Sequence, residues 1–360
     1  MPLEVSAFLD REAAIYLTGE IITVKVLLRN VASKGHQSLA WGIVQFTCER
    51  TMGAKVRLRD RPTTAISRSP STVYSSVPNI LFCDVMLGYG ESQQFISEIP
   101  LPTHGLPPSF RGHLVKYLNR ITIAVQHVCD PIKMMHIPVR VIPSIGIIGT
   151  SKISQNPFLM ETMLPATISQ TVMATVDEIT APKRPYMFSM RNSKGKVATM
   201  TLFKKTFRLG EDVLGMLSFE DSDVSCVQYS VHLETVEQLD ENYIEEVEEK
   251  PNEEVLSTTV HSNDYVVCAF ASDSSFRLSI PMHSPPTFHT DAVHLKWRLR
   301  FEFVTSAPLI NVVYGEVCKA PIDVPIETLT WKVNIYVLPC SPQNAALTDS
   351  SHTGSATMTL

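Results

Sequence analysis

Val293-His294-Leu295-Lys296-Trp297-Arg298-Leu299-Arg300-Phe301-Glu302-Phe303 decides the fold. Every odd position is apolar and every even one is polar. Side chains alternate across a strand, so this is a long strand with one buried and one wet face, as antiparallel sheets have. Shorter runs repeat the pattern. Ile22, Val24, Val26 and Leu28 share one face, as do Val227, Tyr229, Val231 and Leu233, with Gln228, Ser230 and His232 opposite. Helical periodicity is nearly absent. Turn residues such as Pro70, Pro78, Gly88, Gly90, Asn192 and Gly195 punctuate the segments. Many short strands of this kind predict an all-β protein of sandwiches or barrels.

The pattern occurs twice, in order. Leu17-Thr18-Gly19-Glu20 opens one strand and Leu209-Gly210-Glu211 another. Downstream of the first come Pro107-Pro108-Ser109-Phe110 and Val115-Lys116-Tyr117; downstream of the second come Pro285-Pro286-Thr287-Phe288 and Leu295-Lys296-Trp297. The Glu-to-Pro separations are 87 (107 − 20) and 74 (285 − 211). Each half closes on a hydrophobic strand ending at proline, Ile137 to Pro143 and Val333 to Pro339. The repeat predicts two tandem antiparallel β-sandwiches, over 1–143 and 186–340, with Tyr117 and Trp297 as equivalent inward residues. Residues 144–185 lose the alternation and read as a linker or extended arm. The Ser/Thr-rich tail 341–360 reads as disordered.

The 360 residues suit two or three domains, and 44% hydrophobic against 19% charged residues supplies real cores. No apolar run reaches the roughly 18–20 residues that span a bilayer. The N-terminal Met1-Pro2-Leu3-Glu4-Val5 predicts no signal peptide. Seven scattered cysteines, an odd number without a C-x-x-C, predict reduced and mostly buried thiols. Together these point to a soluble intracellular protein.

Charge is uneven. Residues 1–143 hold 15 Lys+Arg against 10 Asp+Glu, and 144–360 hold 16 against 26, so +5 and −10 sum to −5. This balance gives no general nucleic-acid signal. Three local concentrations stand out. Arg50, Lys55, Arg57, Arg59, Arg61 and Arg68 crowd one region. Lys183, Arg184, Arg191, Lys194, Lys196, Lys204, Lys205 and Arg208 form another, with no acidic residue among 183–208. The run 234–254 holds ten Asp+Glu against one lysine. Each basic group is either a solvated sheet surface or a patch for an anionic membrane or acidic partner. The acidic run is either a solubilising inserted loop or a docking surface for a basic partner.

No catalytic constellation emerges. Gly88-Tyr89-Gly90-Glu91-Ser92-Gln93 begins like a dinucleotide loop but follows no βαβ pattern. Ser193-Lys194-Gly195-Lys196 matches S-x-x-K but sits in a predicted hairpin turn, where that motif needs a helix start. His283, His289 and His294 lack a Cys or carboxylate at ligand spacing. No catalytic, cofactor or metal site is predicted.

The two Gly-Glu openings and the two Pro-Pro-x-Phe entries resemble those of the arrestin fold, two β-sandwiches joined end to end. Within that fold the chain resembles the reduced-growth-phenotype family of Golgi retrograde-transport proteins. The resemblance rests on Asn79-Ile80-Leu81-Phe82-Cys83-Asp84, Gly90-Glu91-Ser92, Pro107 to Gly112, Val115-Lys116-Tyr117, Gly195-Lys196-Val197, Phe207 to Asp212, Leu295 to Leu299 and Phe301 to Ser306, which span 79–306 in order. Its signature residues Phe110, Arg111, Gly112, Lys116, Tyr117, Gly210, Glu211, Lys296 and Trp297 read as mainly structural.

The resemblance implies a non-catalytic, arrestin-like subunit of a heterodimer with a large, β-propeller-bearing partner of the RIC type. That pair is a guanine-nucleotide exchange factor for a Golgi Rab GTPase of the Rab-six class, in endosome-to-Golgi retrograde transport. It places the chain in the cytoplasm, peripheral on the Golgi membrane. Exchange factors displace switch regions with a positioned surface rather than a nucleophile or base. The other reading is an α-arrestin-type cargo or ubiquitin-ligase adaptor. Those recruit WW domains through Pro-Pro-x-Tyr, whereas 107–110 and 285–288 both end in Phe.

Overall fold

A computed structural model describes residues 3–32, 35–53, 70–128, 130–144, 167–240, 243, 256–306, 325–349 and 351–360. The described strands form four sheets. In the first sandwich one sheet runs β21 (Thr353–Thr359), β1 (Leu3–Ala13), β3 (Ile21–Asn30), β7 (Ser92–Pro100). The facing sheet runs β2 (Ile15–Leu17), β10 (Lys133–Ile142), β9 (Val115–His127), β4 (Gln37–Met52), β5 (Ser71–Ser75). There β6 (Asn79–Leu87) also pairs with β4, and β8 (Phe110–Arg111) with β9. Val24, Val26 and Leu28 of one sheet meet Phe46, Ile121 and Ile137 of the other in a shared core.

The second sandwich repeats the first. One sheet runs β11 (Tyr186–Asn192), β12 (Gly195–Leu202), β14 (Asp212–Ser218), β17 (Asp273–Ser279). The other runs β13 (Thr206–Arg208), β20 (Ile326–Leu338), β19 (Val293–Ser306), β15 (Ser225–Leu239), β16 (Leu256–Val267), with β18 (Phe288–His289) on β19. Pairing is antiparallel except at β2–β10 and β13–β20, equivalent places in the two halves. The alternating run that opened the sequence reading is β19, and its odd residues 293–303 are all buried.

The repeated Gly-Glu pair has a physical reason. Gly19 (φ 91°) and Gly210 (φ 85°) take the left-handed backbone that only glycine adopts without strain. The following carboxylate then closes the turn by accepting the backbone N–H three residues back, from Leu17 to Glu20 at 2.8 Å and from Arg208 to Glu211 at 3.1 Å. Arg11 binds Glu20 through two nitrogens, and Lys204 binds Glu211 at 2.7 Å.

Three expectations are corrected. The tail is ordered: Pro342–Ala346 form helix α2, and β21 pairs with β1 from Glu4↔Thr359 to Ala13↔Thr353. It takes beside β1 the place that β11 takes beside β12, completing the first sandwich from the far end of the chain. The supposed linker carries helix α1 (Ile168–Thr180). Thr167 Oγ1 accepts the Gln170 N–H and Gln170 Oε1 accepts the Thr167 N–H, a reciprocal cap, while Val172 and Val176 are buried. Residues 145–166 of the stretch lie outside the described residues.

The third correction is a two-residue slip in the repeat. Phe110 pairs with Tyr117, but Phe288 pairs with Leu295, so Tyr117 corresponds to Leu295. Trp297 corresponds to Asn119; they pair with the equivalent residues Ile335 and Val139. Chemistry agrees with this register. Asn119 Nδ2 donates to the Pro107 carbonyl at 3.3 Å, and Trp297 Nε1 donates to the Pro285 carbonyl at 3.2 Å. Both hold down the first proline of their Pro-Pro pair. Tyr117 and Trp297 are nonetheless both inward and buried.

Candidate functional site

The structure brings the Pro-Pro-x-Phe segments together where the sandwiches meet. Phe110 and Phe288 pack edge to face at 5.1 Å, both buried. Neither is an exposed ligand of the kind the adaptor reading requires. Beyond Phe110, Glu237 of β15 reaches into the first sandwich, and its carboxylate accepts the backbone N–H groups of His113 and Leu114 at 2.9 and 2.8 Å. A side chain on Gly112 would collide with that carboxylate and with the Phe110 ring, which explains glycine in the signature. The reverse contact comes from Arg50 of β4, which donates to Asp291 at 2.7 Å and lies over the Tyr243 ring. Tyr117 Oη and Thr290 Oγ1 share a hydrogen bond at 2.9 Å.

These contacts are related by the repeat. Arg50 pairs with Tyr117 and Glu237 with Leu295, so Arg50 and Glu237 are equivalent positions. Each crosses to the hairpin that follows Phe288 or Phe110 in the other sandwich. A third contact ties in the tail. Arg140 of β10 donates to Asp349 at 3.2 Å and to the Met282 carbonyl at 2.8 Å. Arg140 and Asp349 are almost wholly buried. Burial alone would raise the Asp349 carboxyl, but hydrogen bonds from Ser351 and His352 outweigh it and hold it well below the usual range. A cleft of about 580 Å³ opens here, lined by both sandwiches and the tail, including Arg111, His113, His261 and His283.

The charged runs fare unequally. Of the acidic run, Glu234 and Glu237 are not solvated at all: they lie in β15, 1% and 3% exposed. Glu234 sits between Arg298 and Arg300 at 2.9 and 2.5 Å. Burial opposes its charge, yet these two arginines hold its carboxyl below the usual range. Residues 244–254 lie outside the described residues, as do Lys55, Arg57, Arg59, Arg61 and Arg68.

The 183–208 stretch is partly neutralised. Lys194 pairs with Glu327, Lys204 with Glu211 and Arg208 with Asp177. Lys205 is half-buried over the Tyr186 and Phe188 rings, and Lys196 is half-buried beside the Glu220 carbonyl. Lys183, Arg184 and Arg191 are exposed, with no acidic partner among the described residues. The Ser193–Lys196 stretch is the predicted hairpin turn, where Asn192 Oδ1 accepts the Lys194 and Gly195 N–H groups. Lys116, Arg111 and Lys296 are exposed. His289 and His294 stack at 3.7 Å, and the described residues hold no cluster of three or more metal-binding side chains.

A family model described as Rgp1 matches residues 25–168 and 150–306. This chain belongs to the Rgp1 family. Two relatives named "RAB6A-GEF complex partner protein 2" extend the match nearly end to end. The Homo sapiens protein is 32% identical, covering 96% of each chain, and the Bos taurus protein is 31% identical, covering 92% of this chain and 93% of that one. The Rgp1 family match includes Gly210-Glu211 and both Phe110 and Phe288, and it begins just after Gly19-Glu20, within β3.

Proposed function

We propose that this chain is the non-catalytic, arrestin-like subunit of a guanine-nucleotide exchange complex for a Golgi Rab GTPase of the Rab6 class. Its counterpart is a larger, β-propeller-bearing subunit of the RIC type, and its setting is the cytoplasmic face of the Golgi in endosome-to-Golgi retrograde transport. The observation that carries the reading is the near end-to-end relationship to proteins named as partners in a RAB6A-GEF complex. Exchange requires a rigid surface held against the switch regions. The contacts of Glu237, Arg50 and Arg140 supply such rigidity between the sandwiches.

Nucleotide release from the Rab tests the reading. With this chain alone the rate will equal the uncatalysed rate. With the large subunit and this chain together it will rise by orders of magnitude. Robust exchange by this chain alone would overturn the subunit role.

Membrane contact is a weaker part of the same proposal and falls on the unpaired cations. Each lysine or arginine near an anionic leaflet contributes on the order of 1 kcal/mol, reduced by salt. Changing Lys183, Arg184 and Arg191 together to Glu will weaken binding of the assembled complex to anionic liposomes, most at low salt. Unchanged binding at both low and high salt would assign recruitment to another surface.

A further inference from the structure

Cys226 and Cys268 are free, buried thiols, 5% and 3% exposed. Their Sγ atoms stand 3.4 Å apart and share a hydrogen bond. The backbone places them there. Cys226 lies near the start of β15, and the Cys268 N–H, just past the end of β16, donates to the Val227 carbonyl at 2.9 Å. Val227 is the extra residue of a bulge in β15 between Cys226 and Gln228, and the bulge puts Cys226 on the buried side beside Cys268. Of the other described cysteines, Cys48 and Cys340 are free and buried, and Cys83 is free and exposed on β6.

We propose that Cys226 and Cys268 are a redox modification site, closing to an intrachain disulfide when the chain meets hydrogen peroxide. Burial raises both thiols, and the Cys268 S–H donates to Cys226 Sγ. Either sulfur attacks once it is ionised, because each has the other beside it as resolving partner. The attacking sulfur takes one peroxide oxygen, the O–O bond breaks, hydroxide leaves and that cysteine becomes a sulfenic acid. The second sulfur then attacks the sulfenic sulfur; the S–S bond forms, the S–O bond breaks and water leaves. In sum, two thiols and one peroxide give one disulfide and two waters. A bond length near 2.05 Å requires the sulfurs to close by little more than an ångström from their 3.4 Å separation.

The bond would join residues 42 apart (268 − 226) and fasten one end of β16 to β15. Among the described residues β16 pairs with β15 alone and forms an edge of its sheet. Oxidation would therefore hold an edge strand that is otherwise free to fray.

The test uses the full-length chain, treated with graded hydrogen peroxide, blocked with a thiol alkylator under denaturing conditions and mapped without reductant. The expected product is a 226–268 linked peptide pair, about 2 Da lighter than the two thiol peptides. The oxidised chain will melt several degrees above the reduced one, and Cys268→Ser will abolish that difference. In Cys226→Ser the reaction will stop at a sulfenic acid on Cys268, and in Cys268→Ser at one on Cys226, each trapped by a dione reagent. Recovery of both residues as alkylated thiols, at a dose that fully oxidises exposed Cys83, would overturn the proposal. So would linkage of Cys226 to any other cysteine.

Discussion

Trp297→Ala destabilises the second sandwich by about 3–5 kcal/mol, read from its melting curve. The indole is fully buried in β19 between Thr235 of β15 and Ile335 of β20, and it stacks on His261 at 4.7 Å. Truncation removes that packing and the donor that satisfies the Pro285 carbonyl at once. A loss of this size is a large part of an ordinary domain's stability. Lys296→Ala, one residue earlier on the wet face, costs under about 0.5 kcal/mol, since its amine only meets Gln238 at the surface. Equal melting of the two variants would mean that β19 is turned the other way round.

Arg140→Ala costs about 3 kcal/mol, because it leaves Asp349 buried without its cation and the Met282 carbonyl without its donor. Its melting curve will show the loss, and proteolysis will reach the tail first, since Asp349 precedes β21 by only a few residues. Changing Asp349 to Asn in the same chain will recover part of the loss. A double variant no better than the single one would deny the coupling. Acid has a related effect. A carboxyl held low in the folded chain stabilises it above the ordinary carboxyl range and loses that contribution as pH falls through its lowered value. Undocking of the tail, followed by protection of the β21 amides, should therefore accompany strong acidification but not a change between neutral and mildly acidic pH.

The sandwiches were legible because alternation marks strands that bury one face. β3 and β19 carry the signal; β15 alternates in sequence over Tyr229 to Leu233 but is buried on both faces there, with Ser230 and His232 covered as well. β21 carries the signal only faintly: Gly354, Ala356, Met358 and Leu360 alternate with Thr353, Ser355, Thr357 and Thr359 and turn toward the first core, but most of them are too small to stand out in a Ser/Thr-rich tail. A strand of that kind looks like a loose tail until its neighbour is known. α1 could have been found from Thr167 and Gln170, a reciprocal cap at the right spacing, but the density of Ser and Thr around it concealed the signal. Trp297 was matched with Tyr117 because aromatic follows lysine in both halves. The hydrogen bond to a proline carbonyl, which pairs Trp297 with Asn119, lies in three dimensions only.

The site was less legible. Glu234 and Glu237 stand in an acidic run that reads as solvated, and their burial depends on partners far away in the chain, Arg298, Arg300 and the His113–Leu114 backbone. The lysines of 183–208 read as one patch because sequence shows sign and position along the chain. It does not show that Glu211, Asp177 and Glu327 come to meet them.

The junction between the sandwiches has the form of a dimer contact. Phe110 meets its own counterpart Phe288, while Arg50 and Glu237, also counterparts, each cross to the other side's hairpin. Self-complementarity about a two-fold axis is how two identical subunits associate. One polypeptide thus holds, between its two halves, the kind of pairing that two identical subunits make. The two halves are not interchangeable at this junction, because equivalent positions carry different residues, Arg50 against Glu237 and His113 against Asp291. Two second-type sandwiches brought together in this way would set Glu237 against Asp291, carboxylate against carboxylate, whereas the mixed pair sets Arg50 against Asp291. Divergence at these positions disfavours a pair of second-type sandwiches and favours the mixed pair.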